Sequence, residues 1–251
     1  MKRTLSGPVT LAVDIGGSGI KAMLLDARGR PVSERVRVPT PKVSTVAKVL
    51  DAIDVLVAGL PRFDRVSVGF PGVVHDGVVY VAANLGTKRW HGCNLQRELA
   101  KRLRKPVRVL NDAAVQGMGV IEGRGVEFVM TLGTGLGTAV YSDGAVVPLE
   151  MGHHPWMRGK VYEDLLSDKA LERVGKKKWR ARVLEAIGTL RAAFNWRRLY
   201  IGGGNARLLE GENLGDDVEV VRNVAGLLGG IRLWTGMPVR SSRRASRRPR
   251  R

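Results

Sequence analysis

The stretch Val9-Thr10-Leu11-Ala12-Val13-Asp14-Ile15-Gly16-Gly17-Ser18-Gly19-Ile20-Lys21-Ala22-Met23-Leu24-Leu25 decides how the chain is read. An apolar, β-branched run ends in a glycine cluster, and a second apolar run follows at once, which predicts strand, tight turn, strand. Asp26 to Gly29 turns the chain again, and Val32 to Val38 predicts a third strand. The layout returns about 117 positions later, with a strand at Phe128 to Leu132, the turn Gly133-Thr134-Gly135-Leu136-Gly137, a strand at Thr138 to Tyr141 and the turn Asp143-Gly144. Taken alone, the echo is compatible with chance as well as with a repeated plan.

Outward from these hairpins the periodicity alternates between strand and helix. Val46, Leu50, Ile53, Val57 and Leu60 step by three and four and predict a helix over Val43 to Leu60. Val66 to Phe70 reads as a strand, and Asp76-Gly77 between two valine pairs reads as a hairpin turn. Leu95, Leu99 and Leu103 mark a helix with Asn94 at its N-cap, and Val107 to Leu110 is a buried strand ending in Asn111-Asp112. Lys178 to Phe194 predicts a long helix, Leu199 to Ile201 a last strand entering Gly202-Gly203-Gly204-Asn205, and Asn223 the cap of a closing helix that reaches Trp234. Alternating strands and helices with two glycine hairpins predict two α/β lobes facing each other across a cleft.

Length and composition bound the rest. The 251 residues, 44% of them hydrophobic, form one large or two small domains with a sizeable core, which excludes disorder throughout. The formal charge of +19 calls for an anionic partner or substrate; taking away the seven arginines between Arg240 and Arg251 still leaves +12 on the body. The single cysteine, Cys93, excludes an internal disulfide and a cysteine-rich zinc site, and it reads as an ordinary small residue. Asp14 interrupts the first apolar run too early for a signal peptide, and no apolar run reaches the roughly 18 residues of a membrane span. The expectation is a cytoplasmic protein with no membrane contact.

Three glycine-rich loops each follow a strand. Backbone N–H groups free of side chains can converge on a phosphate, and Ser18, Thr134 and Thr138 add hydroxyls. Singly, each loop is equally a plain hairpin; together they favour phosphate binding. Gly16 to Lys21 is not a Walker pattern and no G-x-G-x-x-G opens a helix, which disfavours P-loop and Rossmann enzymes. Asp112, at the C-terminal end of a strand where open α/β sheets place ligands, is the candidate catalytic base for phosphoryl transfer, although Asn111-Asp112 can equally cap the next helix. In Leu149-Glu150-Met151-Gly152-His153-His154, the carboxylate and imidazole can bond neighbouring hydroxyls of a polyol; zinc ligation and a structural histidine remain the alternatives.

The ordered segments Asp14-Ile15-Gly16-Gly17-Ser18-Gly19-Ile20-Lys21, Gly69-Phe70-Pro71-Gly72-Val73-Val74, Ala83-Asn84-Leu85, Asn111-Asp112-Ala113, Leu132-Gly133-Thr134-Gly135-Leu136-Gly137, Glu150-Met151-Gly152-His153 and Ile201-Gly202-Gly203-Gly204 resemble those of sugar kinases of the ROK family. The resemblance spans roughly residues 9 to 234 and is nearest to the family's short polyphosphate glucokinase branch. It implies a two-lobed actin-like ATPase (ribonuclease H-like) fold with the ligand cleft between lobes. The implied division is a small α/β domain over residues 1–111 joined by a C-terminal helix at 223–239, a large α/β domain over 112–222, and a disordered arginine-rich tail at 240–251. It also implies transfer of a phosphoryl group to the 6-hydroxyl of glucose, with Asp112 as general base and Asn84, Asn111, Glu150, His153 and Glu163 as sugar contacts. Asp14, Gly16, Gly17, Ser18, Gly19, Lys21, Thr134, Gly135 and Gly137 match phosphate segments, with Asp14 near Mg2+-bound phosphates, and Gly203 and Gly204 match the adenosine segment. The stretch from His153 to Glu163 lacks the zinc-binding cysteines common in the family, so His153 has no zinc role, and no residue is assigned as a metal ligand.

The expected partners are therefore glucose, polyphosphate and/or ATP with Mg2+, and a second copy of the chain in a homodimer. A basic body suits polyphosphate, with runs around Lys101 to Arg108 and Lys176 to Arg182 that can equally be solvated helix faces. Two other readings stand beside this one: an ATP-dependent kinase for mannose, fructose or an amino sugar, and a nucleic-acid-binding regulator that kept a kinase fold and contacts polyanions through Arg240 to Arg251.

Overall fold

The computed structural model describes residues 7–221 and 228–235. The expected Asn223 cap, most of the closing helix and the arginine-rich tail lie outside the described residues. In chain order the first half contains β1 (Thr10–Ile15), β2 (Gly19–Leu25), β3 (Val36–Pro39), α1 (Val46–Val57), β4 (Arg65–Phe70), β5 (Val74–His75), β6 (Val78–Val79), α2 (Thr87–Trp90), α3 (Leu95–Leu103) and β7 (Val107–Asn111). The second half contains α4 (Asp112–Gly117), β8 (Val126–Leu132), β9 (Leu136–Ser142), β10 (Ala145–Val147), α5 (Tyr162–Leu166), α6 (Asp168–Phe194), β11 (Arg198–Gly202), β12 (Val218–Val220) and α7 (Arg232–Thr235), with 3-10 turns at Ala206–Leu209 and Leu228–Ile231.

The echo of the two glycine hairpins is a repeated topology. One sheet runs β3-β2-β1-β4-β7 and the other β10-β9-β8-β11-β12. In each, three antiparallel strands are extended by two strands parallel to the first. Each sheet buries one face under its own helices. Leu11, Val13 and Ile15 share a core with Ile53 of α1 and Leu99 of α3, and Phe128, Met130 and Leu132 share another with Trp179, Val183 and Leu190 of α6.

Local chemistry sets most element ends. Thr45 and Asn94 cap α1 and α3 by accepting from the Lys48 and Arg97 amides at 3.3 and 2.8 Å. The Asp76-Gly77 and Asp143-Gly144 hairpins both place their two central residues at positive φ, 48° and 76° in the first and 49° and 82° in the second, as a tight turn matched to strand twist requires. The long helix differs from expectation: α6 begins at Asp168 rather than near Lys178, and Gly175, at φ 75° and ψ 162°, breaks it internally. The glycine interrupts the apolar period and hides the first two turns from a sequence reading.

Helix α4 lies where the two sheets meet. Ala113, Ala114, Val115 and Gly117 are buried there, and a Cβ at position 117 would fall 2.4 Å from the Tyr141 hydroxyl. Segment 228–235 packs beside it: the Ser67 hydroxyl donates to the Gly230 carbonyl at 2.6 Å, and the Trp234 indole donates to Ser67 Oγ at 2.9 Å. Among the described residues no helix is long and apolar enough to cross a membrane.

Candidate active site

The first glycine loop closes on itself, with the Gly16 amide donating to the Gly19 carbonyl at 3.0 Å. Thr40 fastens it from the far side by donating to the Gly16 carbonyl at 2.6 Å. Asp14 ends β1 beside this loop, 3.4 Å from the Lys21 ammonium. Burial raises the Asp14 pKa, and Lys21 and Arg35 oppose that rise. Gly69 lets the next element come close: a Cβ there would stand 3.2 Å from the Asp112 Cα and 3.7 Å from Asp14 Oδ1. Asp14 and Asp112 are thereby neighbours across one glycine.

Asn111 is the N-cap of α4 and Asp112 is its first residue. Asn111 Oδ1 accepts the Ala114 amide at 3.0 Å and its Nδ2 donates to the Gly72 carbonyl at 3.1 Å. Asp112 Oδ1 accepts the Ala113 amide at 2.7 Å. Burial of its carboxyl, reinforced by the Asp14 and Glu150 carboxylates, pushes the Asp112 pKa up to about 8. Asn84 stands against the first loop, its Cβ 3.7 Å from where a Gly17 side chain would begin. Its amide is exposed and has no hydrogen-bond partner among the described residues.

The second lobe brings Glu150, His153 and Glu163 together. His153 Nδ1 lies 3.8 Å from Glu150 Oε1, and Nε2 lies 3.7 Å from Glu163 Oε1. The Glu150 carboxylate, and less strongly Glu163, hold the imidazole pKa above its usual value against the effect of burial. Nδ1, on the Glu150 side, is buried without a hydrogen-bond partner. Glu163 also reaches under the second glycine loop, accepting the Leu136 amide at 3.0 Å, and a Cβ at Gly135 would fall 2.4 Å from its Oε2.

This cluster is carried on a short hairpin in place of the absent cysteines. Pro155 bridges to Val161, Arg158 and Gly159 turn the chain at φ 52° and 69°, and the Trp156 and Tyr162 rings stack at 4.6 Å. The third glycine loop folds onto the second. The Asn205 amide donates to the Leu132 carbonyl at 3.1 Å and the Asp168 amide to the Gly133 carbonyl at 2.8 Å; the Asn205 side chain joins the two by donating to Asp168 Oδ1 at 2.5 Å. Gly203, at φ 91°, is pressed so close that a Cβ would lie 2.3 Å from the Leu132 carbonyl oxygen.

The structure thus gathers Asp14, Gly16, Gly17, Ser18, Gly19, Lys21 and Asn84 on one side. It gathers Thr134, Gly135, Gly137, Glu150, His153, Glu163, Gly203 and Gly204 at the other. Among the described residues no hydrogen bond or ion pair joins the first loop to the second; Asp112, whose pKa responds to both Asp14 and Glu150, lies between. Thr40, Asp168, Arg35 and Arg37 escape the sequence reading, because their roles come from strand pairing and loop contacts that leave no local motif. Cys93 is half-buried, and burial raises its thiol pKa, as suits an unreactive thiol.

A family model described as the ROK family matches residues 10–187. A polyphosphate glucokinase of Mycobacterium tuberculosis is 31% identical over 202 residues, covering 76% of each chain. The solved inorganic polyphosphate/ATP-glucomannokinase of Arthrobacter sp. strain KM superposes with a TM-score of 0.78 at 31% identity, over 90% of this chain and 97% of that one. A ROK family glucokinase from Streptomyces griseus, solved with glucose and AMPPNP, has a TM-score of 0.74 at 23% identity over 90% and 98%. The two repeated sheets form the two-lobed actin-like ATPase fold, with the ligand cleft between lobes. From the matched model and the relatives of similar length, the chain belongs to the ROK family of sugar kinases.

Proposed function

We propose that the chain is a glucokinase that transfers a phosphoryl group from inorganic polyphosphate, ATP or both to the 6-hydroxyl of glucose. The observation that carries this reading is Asp112: a carboxylate enclosed between Asp14 at the first glycine loop and Glu150 of the second lobe, with its pKa pushed up to about 8. Such a group is poised near working pH to take the proton of an attacking hydroxyl. Asn84, Asn111, Glu150, His153 and Glu163 hold the sugar ring. The carboxylates accept from hydroxyls, and the half-exposed His153 imidazole lies between two of them. The glycine loops at residues 16–19 and 133–137 present amides to the donor phosphates, and Gly203 and Gly204 border the space for the donor's far end. As the hydroxyl oxygen bonds to phosphorus, the bond to the remaining donor chain breaks and the proton passes to Asp112.

Among the described residues no group of three or more His, Cys, Asp or Glu side chains could hold a metal ion by itself. Mg2+ takes one or two carboxylates and completes its shell with substrate phosphates and water. Asp14, a partly buried carboxylate whose one ion-pair partner among the described residues is Lys21, fits as that ligand. The ion would neutralise charge on the transferring oxygens.

The deciding experiment supplies wild-type protein with glucose and Mg2+ and either ATP or long-chain polyphosphate alone. Turnover with ATP only would remove the polyphosphate assignment, and turnover with neither would remove the kinase reading. Mannose belongs in the same assay, since the Arthrobacter relative is named a glucomannokinase.

A further inference from the structure

The face of the first sheet that bears Asp14 carries a row of charge, of which the transfer step described above uses Asp14 alone. In the β1-β2-β3 register Asp14 lies opposite Lys21, and Lys21 lies opposite Arg37. Three charged side chains therefore stand side by side on three adjacent strands, on one face of the sheet. Arg35, one residue before β3 begins, lies close enough for its charge to act on Asp14.

Only one of the three cations is neutralised. Asp14 pairs with Lys21 at 3.4 Å, and among the described residues neither Arg35 nor Arg37 has a carboxylate in ion-pair contact. Like charges directly opposed across an antiparallel pair destabilise a sheet, so Lys21 facing Arg37 is a cost in the free protein that an anion would relieve. Arg37 is also held in place. Its Nη2 donates to the Ser18 carbonyl at 3.3 Å, and its Nε lies 2.5 Å from where a Gly19 side chain would begin, so the guanidinium covers the first glycine loop. Both arginines are exposed, and β3 is the edge strand of its sheet. The cations thus start at the phosphate loop and continue outward to open solvent.

We propose that Lys21, Arg37 and Arg35 form a second phosphate subsite, which holds the donor chain beyond the phosphoryl group being transferred. The inference rests on the donor reading above and deepens it. Neighbouring strands stand about 4.8 Å apart, so the row offers a cation at each step away from the loop. A linear polyanion with a charge on every unit can follow that row to the edge of the sheet, whereas a nucleoside triphosphate runs out of phosphates. The planar arginine forks suit phosphate oxygens better than point charges do.

The test measures binding of tripolyphosphate and of long-chain polyphosphate by calorimetry at about 50 and 200 mM salt, a range over which polyanion contacts separate clearly. It compares wild type with Arg37→Ala, the double variant Arg35→Ala/Arg37→Ala, and Arg37→Gln, which removes the charge but keeps part of the stem and a polar head should the alanine pair fail to fold. The subsite predicts that Kd for long-chain polyphosphate rises on the order of tenfold in the double variant, with a salt slope shallower by about one to two. It also predicts that the ratio of kcat/KM with polyphosphate to kcat/KM with ATP falls. Equal affinity and salt slope in wild type and variants, or no polyphosphate binding by wild type, would overturn it. Failure of wild type to phosphorylate glucose with either donor would overturn the kinase reading instead, and the binding comparison would still decide the subsite.

Discussion

Replacing Asp112 by Asn separates chemistry from stability in a way the structure makes quantitative. In the ligand-free protein burial and the two neighbouring carboxylates push the Asp112 pKa up to about 8, against about 3.9 for an unperturbed aspartate. Between those values the folded chain holds a proton that the unfolded chain has released, so stability falls as pH rises through the window. At pH 7 about three units of the window have been crossed, a ceiling of about 4 kcal/mol at 1.36 kcal/mol per unit. Water drawn towards the ionised carboxylate relaxes part of that penalty. The variant should therefore gain on the order of 2 kcal/mol at neutral pH and nothing below about pH 4. Asn remains neutral at both and can keep the bond that Asp112 Oδ1 accepts from the Ala113 amide at 2.7 Å. Glucose phosphorylation should fall about a thousandfold with either donor, within the usual contribution of a general base. Urea unfolding from pH 4 to 8 without divalent ions, followed through the buried Trp90 and Trp179, together with turnover at pH 7.5, supplies both readouts. Parallel stability curves for the two proteins would show that Asp112 ionises like an ordinary carboxylate, and retained turnover would remove it as the base.

Three further outcomes follow from particular contacts. Gly135→Ala puts a methyl group 2.4 Å from Glu163 Oε2; KM for glucose and for the donor should rise together, because one carboxylate serves both the loop and the sugar cluster, and a change in only one would break that link. His153 has a raised pKa, so its stabilising contribution is complete below the unfolded value of about 6.5 and is lost as pH rises through the folded value; His153→Ala should lack this slope in thermal unfolding between pH 6 and 8. Glu127 is fully buried and accepts the amides of Glu122, Gly123 and Arg124 at 2.8, 2.7 and 3.0 Å. Glu127→Gln turns a donor towards donors and should cost about 3 kcal/mol in chemical unfolding, whereas a loss below about 0.5 kcal/mol would contradict that role.

The legible parts of the site were those in which a residue and its function share a short segment. The Gly16 and Gly133 loops follow strands and contain their own closure. Asn111-Asp112 shows both its capping chemistry and its place at a strand end. Glu163 was harder to place, because it lies ten positions from His153, and only the Pro155–Val161 hairpin and the Trp156–Tyr162 stack bring it back to within 3.7 Å of the imidazole. The first turns of α6 are not legible in the sequence, because Gly175 breaks the apolar period by which a helix is recognised.

By itself the sequence determined two α/β lobes, three glycine turns and a carboxylate at the end of β7, since strand alternation, turn glycines and capping residues act over a few neighbouring positions. It also set a strong positive charge without saying where that charge works. The tertiary structure decided which groups meet: Asp14 beside Asp112 across Gly69, Glu163 beneath the second loop, and Lys21 opposite Arg37 beside the first. Those meetings depend on strand register and on the approach of segments from sixteen to about a hundred residues apart. Desolvation and Coulombic coupling, which set the Asp112 and His153 pKa values, exist only once the chain has closed around them.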